Sequence, residues 1–217
     1  MILAAGRGER MRPLTDAQPK PLLKVRGRPL IEHHVLALAR AAVPSIVINL
    51  SWLGEQIRDY LGDGTRYGVA IRYSDEQPRA LETAGGIFRA LRWLRPGPFA
   101  VVNADVFTDY PFERLRIGAG RDAHLVLVDN PEQHAAGDFG LEGENVVASA
   151  AQRYTFAGLA VYRAAFFDGC TDGVFPLKPL LLRSMEAGRC SGERYGGAWE
   201  DVGTPERLIE LNHGPAS

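Results

Sequence analysis

Glycine and cationic side chains are concentrated at the start of the chain, in a pattern suited to holding an anion. The segment Leu3-Ala4-Ala5-Gly6-Arg7-Gly8-Glu9-Arg10-Met11-Arg12-Pro13-Leu14-Thr15 leads from an apolar stretch into a glycine-containing loop. Glycine lets a backbone approach a phosphate closely, and successive N–H groups in such a loop form an anion nest. Residues 1–40 hold eight Lys/Arg and three Asp/Glu, a local charge of +5 on a chain whose net charge is -1. This contrast predicts a small anionic ligand rather than a polymer.

Three kinds of phosphate loop compete for this segment. A Walker A loop requires Gly-Lys-Ser/Thr, and the sequence has no such run. A dinucleotide loop requires a third glycine, where this chain has Met11, and an acid at the end of the next strand, where it has Asn49-Leu50. The loop instead carries cations, which favours a triphosphate.

Lys20 follows the loop between two prolines, in Gln18-Pro19-Lys20-Pro21. Proline fixes its own φ and restricts the residue before it, so this lysine has little backbone freedom. A solvated surface lysine is the ordinary alternative. Its position directly after an anion loop predicts a phosphate contact instead.

Two aspartates are candidate metal ligands. Asp105 follows the apolar stretch 99–103, at the carboxyl end of a predicted strand, where ligands of α/β proteins bind. Asp201 lies between Trp199 and a Gly-Thr-Pro helix start. Two carboxylates and substrate phosphates suit Mg²⁺, although a helix cap at Asp105 and a turn acid at Asp201 remain alternatives. Asp109 is interpreted as a cap or turn acid.

Apolar runs alternate with helical patterns along the chain, which predicts an α/β protein with a mostly parallel sheet between helices. Strands are predicted at 1–4, 45–50, 69–73, 99–103, 123–128 and 154–162, with a hairpin around 142–145 and strand-like pieces near Tyr195 and Trp199. Helices are predicted at 29–42, 53–61, 82–94, 178–187 and 204–212. We expect one domain over 1–217, made of two halves, 1–110 and 111–217.

Composition narrows the class further. The 217 residues suffice for a core without staples, and the two cysteines lack zinc-site spacing. No run of about 18 apolar residues is present, and a reduced cytoplasmic protein without nucleic-acid or membrane partners is expected.

The motifs described above resemble those of the sugar-1-phosphate nucleotidyltransferase family. Its pattern L-A-A-G-x-G-x-R-[LM]-x-P-L-T followed by P-K-[PA]-[LM] is matched nearly throughout from Leu3 to Leu22. Later landmarks agree in order, namely Glu82-Thr83-Ala84-Gly85-Gly86, Asn103-Ala104-Asp105, Phe156-Ala157-Gly158 and Trp199-Glu200-Asp201-Val202-Gly203. The resemblance implies a Rossmann-like three-layer sandwich of the GT-A-like nucleotidyltransferase type, with a small β-rich sugar-binding lobe. It also implies that residues 1–110 are the nucleotide-binding half and residues 111–217 the sugar-binding half.

The resemblance also implies a role for each matched position. Phosphate and catalytic contacts would come from Arg10, Arg12 and Lys20, and Mg²⁺ would be held by Asp105 and Asp201. The nucleotide would be bound by Leu3, Ala4, Ala5, Gly6, Gly8, Glu9, Gln77, Thr83 and Gly85. The sugar would be bound by Asn103, Gly140, Thr155, Gly158 and Trp199.

Several stretches are similar to the N-acetylmuramate-1-phosphate uridylyltransferase branch, among them residues 48–54, 81–87 and 103–109. This similarity implies transfer of a nucleotidyl group from UTP to N-acetylmuramate-1-phosphate in cell-wall recycling. A mannose-1-phosphate guanylyltransferase or another NDP-sugar pyrophosphorylase is the alternative. One departure is the run 148–153, which replaces the family's Glu-Lys-Pro and leaves a sugar-binding glutamate unassigned.

Two other classes stay open on the residues alone. A non-catalytic regulatory subunit is disfavoured by the intact Arg10, Lys20, Asp105 and Asp201. A glycosyltransferase would have Asp-x-Asp where this chain has Asn103-Ala104-Asp105. No Ser/His/Asp or Cys/His grouping is evident, which fits direct attack by an already ionised sugar phosphate. C-terminal hexapeptide repeats, a common trimerisation element, do not occur, so we expect a monomer or weak dimer.

Overall fold

The computed structural model describes residues 1–76, 78 and 80–213. Its strands are, in chain order, β1 (Ile2–Leu3), β2 (Lys24–Val25), β3 (Arg28–Pro29), β4 (Ser45–Leu50), β5 (Ala70–Asp75), β6 (Phe99–Asn103), β7 (Val106–Thr108), β8 (Ala123–Val128), β9 (Gly140–Glu142), β10 (Asn145–Val147), β11 (Thr155–Tyr162), β12 (Cys190–Tyr195) and β13 (Trp199–Asp201). Its α-helices are α1 (Leu14–Ala17), α2 (Leu30–Arg40), α3 (Gly54–Leu61), α4 (Glu82–Leu94), α5 (Lys178–Glu186) and α6 (Pro205–His213). Within these described ranges no helix is long and apolar enough to cross a membrane.

Nine strands form the central sheet, in the order β5-β4-β1-β6-β11-β8-β12-β10-β9. The pairs β5/β4, β4/β1, β1/β6 and β8/β12 are parallel, and β11 and β10 run opposite to both of their neighbours. All sheet strands except β11 and β10 therefore point the same way. The predicted mostly parallel α/β sheet is confirmed.

Helices cover both faces of this sheet. On one face α2 and α3 pack through buried residues that include Ile31, Val35 and Ile57. On the other face α4 and α5 pack through residues that include Ile87 and Leu181. Because both faces are buried, the central strands are apolar without a strict alternation. The result is the expected three-layer arrangement.

The sequence patterns locate most elements to within two residues. The predicted spans 45–50, 82–94, 99–103 and 123–128 coincide with β4, α4, β6 and β8. The predicted hairpin is the antiparallel pair β9/β10. Because β10 also pairs with β12, this β-rich part extends the central sheet instead of forming a sheet of its own.

A second, two-stranded sheet joins β7 to β13 in antiparallel register, with Asp201 opposite Val106. Helix α2 packs against this small sheet through His34, whose ring is buried. Nε2 of His34 lies 2.7 Å from the Val106 carbonyl oxygen. An imidazole there can donate its Nε2–H to that carbonyl. Burial lowers the pKa of His34 to about 4.

This buried histidine predicts an acid-sensitive fold. The pKa of His34 is lower in the folded chain than its ordinary value of 6.5, so the unfolded state takes up the proton first as the pH falls. We expect the free energy of unfolding to decrease between pH 6.5 and pH 4 by roughly 3 kcal/mol from this residue alone. Urea unfolding at several pH values measures the slope. The variant His34→Gln, whose amide can still donate to Val106, should lack this component, and an unchanged slope in the variant would contradict the assignment.

Candidate active site

A cavity of about 410 Å³ opens at the carboxyl ends of the parallel strands. Its lining comes from the ends of β1, β4 and β6, the glycine loop and the start of α4. The lining residues are Leu3, Ala4, Ala5, Gly6, Gly8, Glu9, Arg10, Met11, Lys20, Pro21, Asn49, Glu76, Ala80, Glu82, Thr83, Asn103, Ala104, Asp105 and Gly203. This is the position at which α/β sheets bind ligands.

A second cavity of about 310 Å³ adjoins the first on the side of β11 and β13. Its lining residues are Arg10, Asn103, Asp105, Val106, Pro131, Gln133, His134, Thr155, Phe156, Ala157, Gly158, Trp199 and Asp201. Arg10, Asn103 and Asp105 line both cavities. Ligands in the two cavities would therefore meet at a wall that carries a guanidinium and a carboxylate.

The glycine loop is held in shape by its own chain. Gly8 has a left-handed φ of 67°, and its carbonyl oxygen accepts hydrogen bonds from the Met11 N–H and the Thr15 hydroxyl. A Cβ at Gly8 would lie 3.1 Å from the Cβ of Lys20. Glycine is thus favoured here for two reasons, its left-handed backbone angle and the close approach of Lys20.

Arg7 braces the same loop from outside the cavity. Its guanidinium donates to the Thr15 carbonyl and to Asp16, and it stacks 3.9 Å from the ring centroid of Trp52. Through these contacts the guanidinium of Arg7 stabilises the conformation of the loop. Arg7 accordingly does not contribute to the lining of either cavity.

Lys20 is buried in the wall of the first cavity, and its ammonium Nζ lies 2.7 Å from Oδ2 of Asp105. The lysine side chain is 9% exposed and that of Asp105 is 35% exposed. The ion pair joins the loop region to the end of β6, 85 residues later in the chain. Such a pair presents a cation and an anion to one ligand.

Asp201 is brought to Asp105 by the small β7/β13 sheet. The Val202 N–H donates to the Asp105 carbonyl over 2.9 Å, so the backbones of the two aspartates are adjacent. Arg207 of α6 approaches Oδ2 of Asp201 at 3.3 Å. The two predicted carboxylates therefore border one cavity, although 96 positions separate them in the chain.

The floor of the second cavity depends on a bulge in β11. Gly158 has a φ of 73°, and a Cβ there would lie 2.7 Å from the amide nitrogen of Asn103. The pairing with β8 is irregular between Phe156 and Ala160. Trp199 fixes the opposite side, because its indole N–H donates to the Ala157 carbonyl over 2.9 Å.

Most of the predicted site residues line one of the two cavities. Four of them lie elsewhere or outside the described residues. Arg12 is exposed and pairs with Asp16 at 2.9 Å. Gly85 is packed against the Gly173 carbonyl, and Gly140, in the edge strand β9, is packed against Ala150. Gln77 lies outside the described residues.

Asn49 and Glu76 were missed by sequence reasoning. Both are buried polar residues in the wall of the first cavity. Asn49 argues against a dinucleotide and lies in the similar stretch 48–54, but neither pattern assigns it a role in binding. The available signal was position, because Asn49 lies at the carboxyl end of β4 and Glu76 directly follows β5.

A family model for nucleotidyl transferases matches residues 1–153. An N-acetylmuramate alpha-1-phosphate uridylyltransferase of Neisseria meningitidis serogroup B is 50% identical, with 97% of this chain and 95% of the relative covered. The chain belongs to the nucleotidyl transferase family. An N-acetylmuramate alpha-1-phosphate uridylyltransferase of Caulobacter vibrioides is 33% identical over 96% of this chain and 93% of its own length.

The fold of this family is also seen in solved structures. HddC from Yersinia pseudotuberculosis, complexed with GMP-PN, superposes with a TM-score of 0.77 and covers 97% of this chain and 96% of its own. Its sequence is 19% identical, so the likeness concerns the fold.

The partly buried ion pair between Lys20 and Asp105 predicts a coupled stability effect in this nucleotidyl transferase. We expect Asp105→Asn to lower the free energy of unfolding by about 1–2 kcal/mol, because it leaves the ammonium of Lys20 buried without a counter-charge. The loss is smaller than for a fully buried pair because solvent screens Asp105. Lys20→Met alone and combined with Asp105→Asn completes a double-mutant cycle by urea denaturation without added metal. The double variant should lose less than the sum of the single variants, and strict additivity would show that the pair is not coupled.

Proposed function

We propose that this nucleotidyl transferase joins the UMP group of UTP to N-acetylmuramate-1-phosphate and releases pyrophosphate. The 50% identical relative with that activity, covered almost end to end, is the observation that carries the proposal. The site agrees with a two-substrate reaction, because two cavities adjoin at Arg10, Asn103 and Asp105. We assign the triphosphate to the first cavity and the sugar phosphate to the second.

The assignment of the cavities follows from their walls. The first cavity is bounded by the glycine loop, where backbone N–H groups, Lys20 and Arg10 favour a polyphosphate. The second carries an indole, a phenyl ring and polar groups, among them Trp199, Phe156 and Thr155. Aromatic faces beside a few polar groups suit a sugar ring. The α-phosphorus would then lie at the shared wall, within reach of the sugar phosphate.

The chemistry proposed is in-line attack of a sugar phosphate oxygen on the α-phosphorus, with pyrophosphate as the leaving group. The nucleophile is already an anion, so no side chain has to remove a proton. Lys20 and Arg10 would offset the charge that develops on the phosphoryl oxygens and hold the triphosphate in line. Asn103, at the shared wall, would orient the sugar phosphate.

Mg²⁺ fits the donor set of the second cavity, which Asp105 and Asp201 both line. Asp105 and Asp201 supply hard carboxylate oxygens, and in the described part of the chain no cluster of three or more His, Cys, Asp or Glu competes as a metal cage. Two carboxylates with substrate phosphates and waters make an ordinary magnesium site. When bound, Mg²⁺ would neutralise charge on the triphosphate. Lys20 must then share Asp105 or turn toward the phosphates.

The nucleotide half would end near residue 110 and the sugar half would follow, although β11 of the second half pairs directly with β6 of the first. We propose a cytoplasmic enzyme that acts as a monomer or weak dimer, on soluble phosphorylated substrates.

The proposed reaction is tested by pyrophosphate release over a substrate grid. We expect UTP with N-acetylmuramate-1-phosphate and Mg²⁺ to give the highest rate, above GTP, dTTP or CTP and above N-acetylglucosamine-, mannose- or glucose-1-phosphate. Excess EDTA should abolish turnover, and added Mg²⁺ should restore it. A maximum at GTP with mannose-1-phosphate would replace the substrates but keep the reaction. A grid without turnover, from protein shown to be folded, would overturn the proposed function.

The two loop arginines form a matched pair for testing the phosphate contact. Arg10 lines both cavities, whereas Arg12 is paired with Asp16 outside them. We expect Arg10→Ala to lower kcat about a hundredfold, as for loss of one contact to developing charge. Arg12→Ala should keep kcat within about threefold, since an exposed ion pair contributes little. Equal losses in the two variants, measured by pyrophosphate release, would contradict this division of roles.

A further inference from the structure

A chain of three buried hydrogen bonds crosses the wall of the first cavity. The Ala4 N–H donates to Oδ1 of Asn49 over 2.8 Å, and Nδ2 of Asn49 donates to Oε1 of Glu76 over 2.7 Å. The Leu81 N–H donates to the other carboxylate oxygen, Oε2, over 2.8 Å. Asn49 is 3% exposed and Glu76 is 1% exposed. We call Asn49 and Glu76 the relay.

The direction of these hydrogen bonds is fixed from both ends. The end groups are backbone N–H groups, which can only donate. Asn49 must therefore turn its oxygen to Ala4 and its NH₂ to Glu76, and the group at position 76 must accept on both sides. A carboxylate does this and an amide cannot, because one of its two ends is a donor. The choice of glutamate at position 76 is thus imposed by its neighbours.

The relay joins two opposite parts of the cavity wall. Ala4 belongs to the segment that leaves β1 for the glycine loop. Leu81 immediately precedes α4, whose first residues, Glu82 and Thr83, line the cavity. The three hydrogen bonds of the relay therefore connect the start of the glycine loop with the start of α4.

The packing around the relay is adapted to it. A Cβ at Gly86 would lie 2.3 Å from Oε1 of Glu76 and 3.0 Å from Nδ2 of Asn49. Real Cβ atoms essentially never show a contact of 2.3 Å, so glycine at position 86 is what lets α4 approach the carboxylate this closely. The Glu76 N–H also donates to the Leu50 carbonyl over 2.9 Å, which holds the segment after β5 against the end of β4.

We propose that Asn49 and Glu76 are positioning residues for the nucleoside, which act by fixing the separation between the start of the glycine loop and the start of α4. The inference rests on the proposed function, in that the first cavity holds the nucleotide. The relay contributes through geometry, since its side-chain oxygens and the Asn49 amide nitrogen already have partners within the protein. A buried donor left without an acceptor would widen or distort the pocket.

The fixed direction of these hydrogen bonds allows a test in which the carboxylate and the amide of positions 76 and 49 are exchanged. Glu76→Gln places an amide donor against either Asn49 or the Leu81 N–H, whichever way it turns. Asn49→Asp places two carboxylates against each other. In the double variant N49D/E76Q, the carboxylate now at position 49 accepts from the Ala4 N–H and from the amide NH₂ now at position 76. The oxygen of that amide accepts from the Leu81 N–H, so only the double variant restores all three hydrogen bonds and the original charge.

Affinities for UTP, GTP, dTTP and CTP are measured by calorimetry for the wild type, both single variants and the double variant, together with both KM values and thermal unfolding. For the triphosphate that the wild type binds, we expect each single variant to weaken binding at least about tenfold, as for a lost buried partner. The KM of the sugar phosphate should change less than about twofold, and the double variant should bind within about threefold of the wild type.

The alternatives are distinguishable. Single variants that bind as the wild type does, or that raise both KM values equally, would overturn the positioning role. If a single variant does not fold, the double variant decides, and a double variant that stays weak or unfolded contradicts the swap. A folded wild type that binds none of the four triphosphates would overturn the proposed function and the inference with it.

Discussion

The central strand β1 constrains everything around the site, although it contains only Ile2 and Leu3. It pairs in parallel with β4 on one side and β6 on the other, so that Leu3 is in register with Asn49 and Asn103. Parallel strands end at one edge of the sheet, and these three residues therefore form a single row. The glycine loop starts from the middle of that row. A shift of either neighbour would separate the loop from the polar residues that surround the cavity.

Charge in this protein is organised locally, and the net charge of -1 conceals it. The loop region contributes the cations Arg10 and Lys20, and the sheet region contributes the carboxylates Asp105 and Asp201. One member of each set, Lys20 and Asp105, forms a partly buried ion pair. Pairing lowers the cost of burying each charge, and it keeps both near a position that a phosphate and a metal ion could share.

Polar residues around the first cavity divide into two groups by their partners. Lys20 pairs with a group that a ligand could displace. Asn49 and Glu76 instead bond to backbone donors that belong to the fold itself. Because Asn49 and Glu76 are buried and hydrogen-bonded within the protein, they contribute to binding by making the cavity wall rigid and not by contacting a ligand. This division explains how a cavity with many polar atoms can remain well defined.

The sequence by itself determined the class of the protein, the main helices and strands, and the loop with its lysine. Those features depend on local properties, namely apolar periodicity, glycine and proline geometry, and a run of motif residues. Tertiary structure decided which side chains share a cavity. The pairing of Val106 with Asp201 places the two aspartates together, and an ion pair with Asp16 turns Arg12 away while Arg10 faces both cavities. Asn49 stands between apolar neighbours in the sequence and Glu76 lies in the polar run 74–77. They become partners only when β4, β5 and α4 pack. Such contacts join distant parts of the chain, and local patterns report burial but not the identity of a partner.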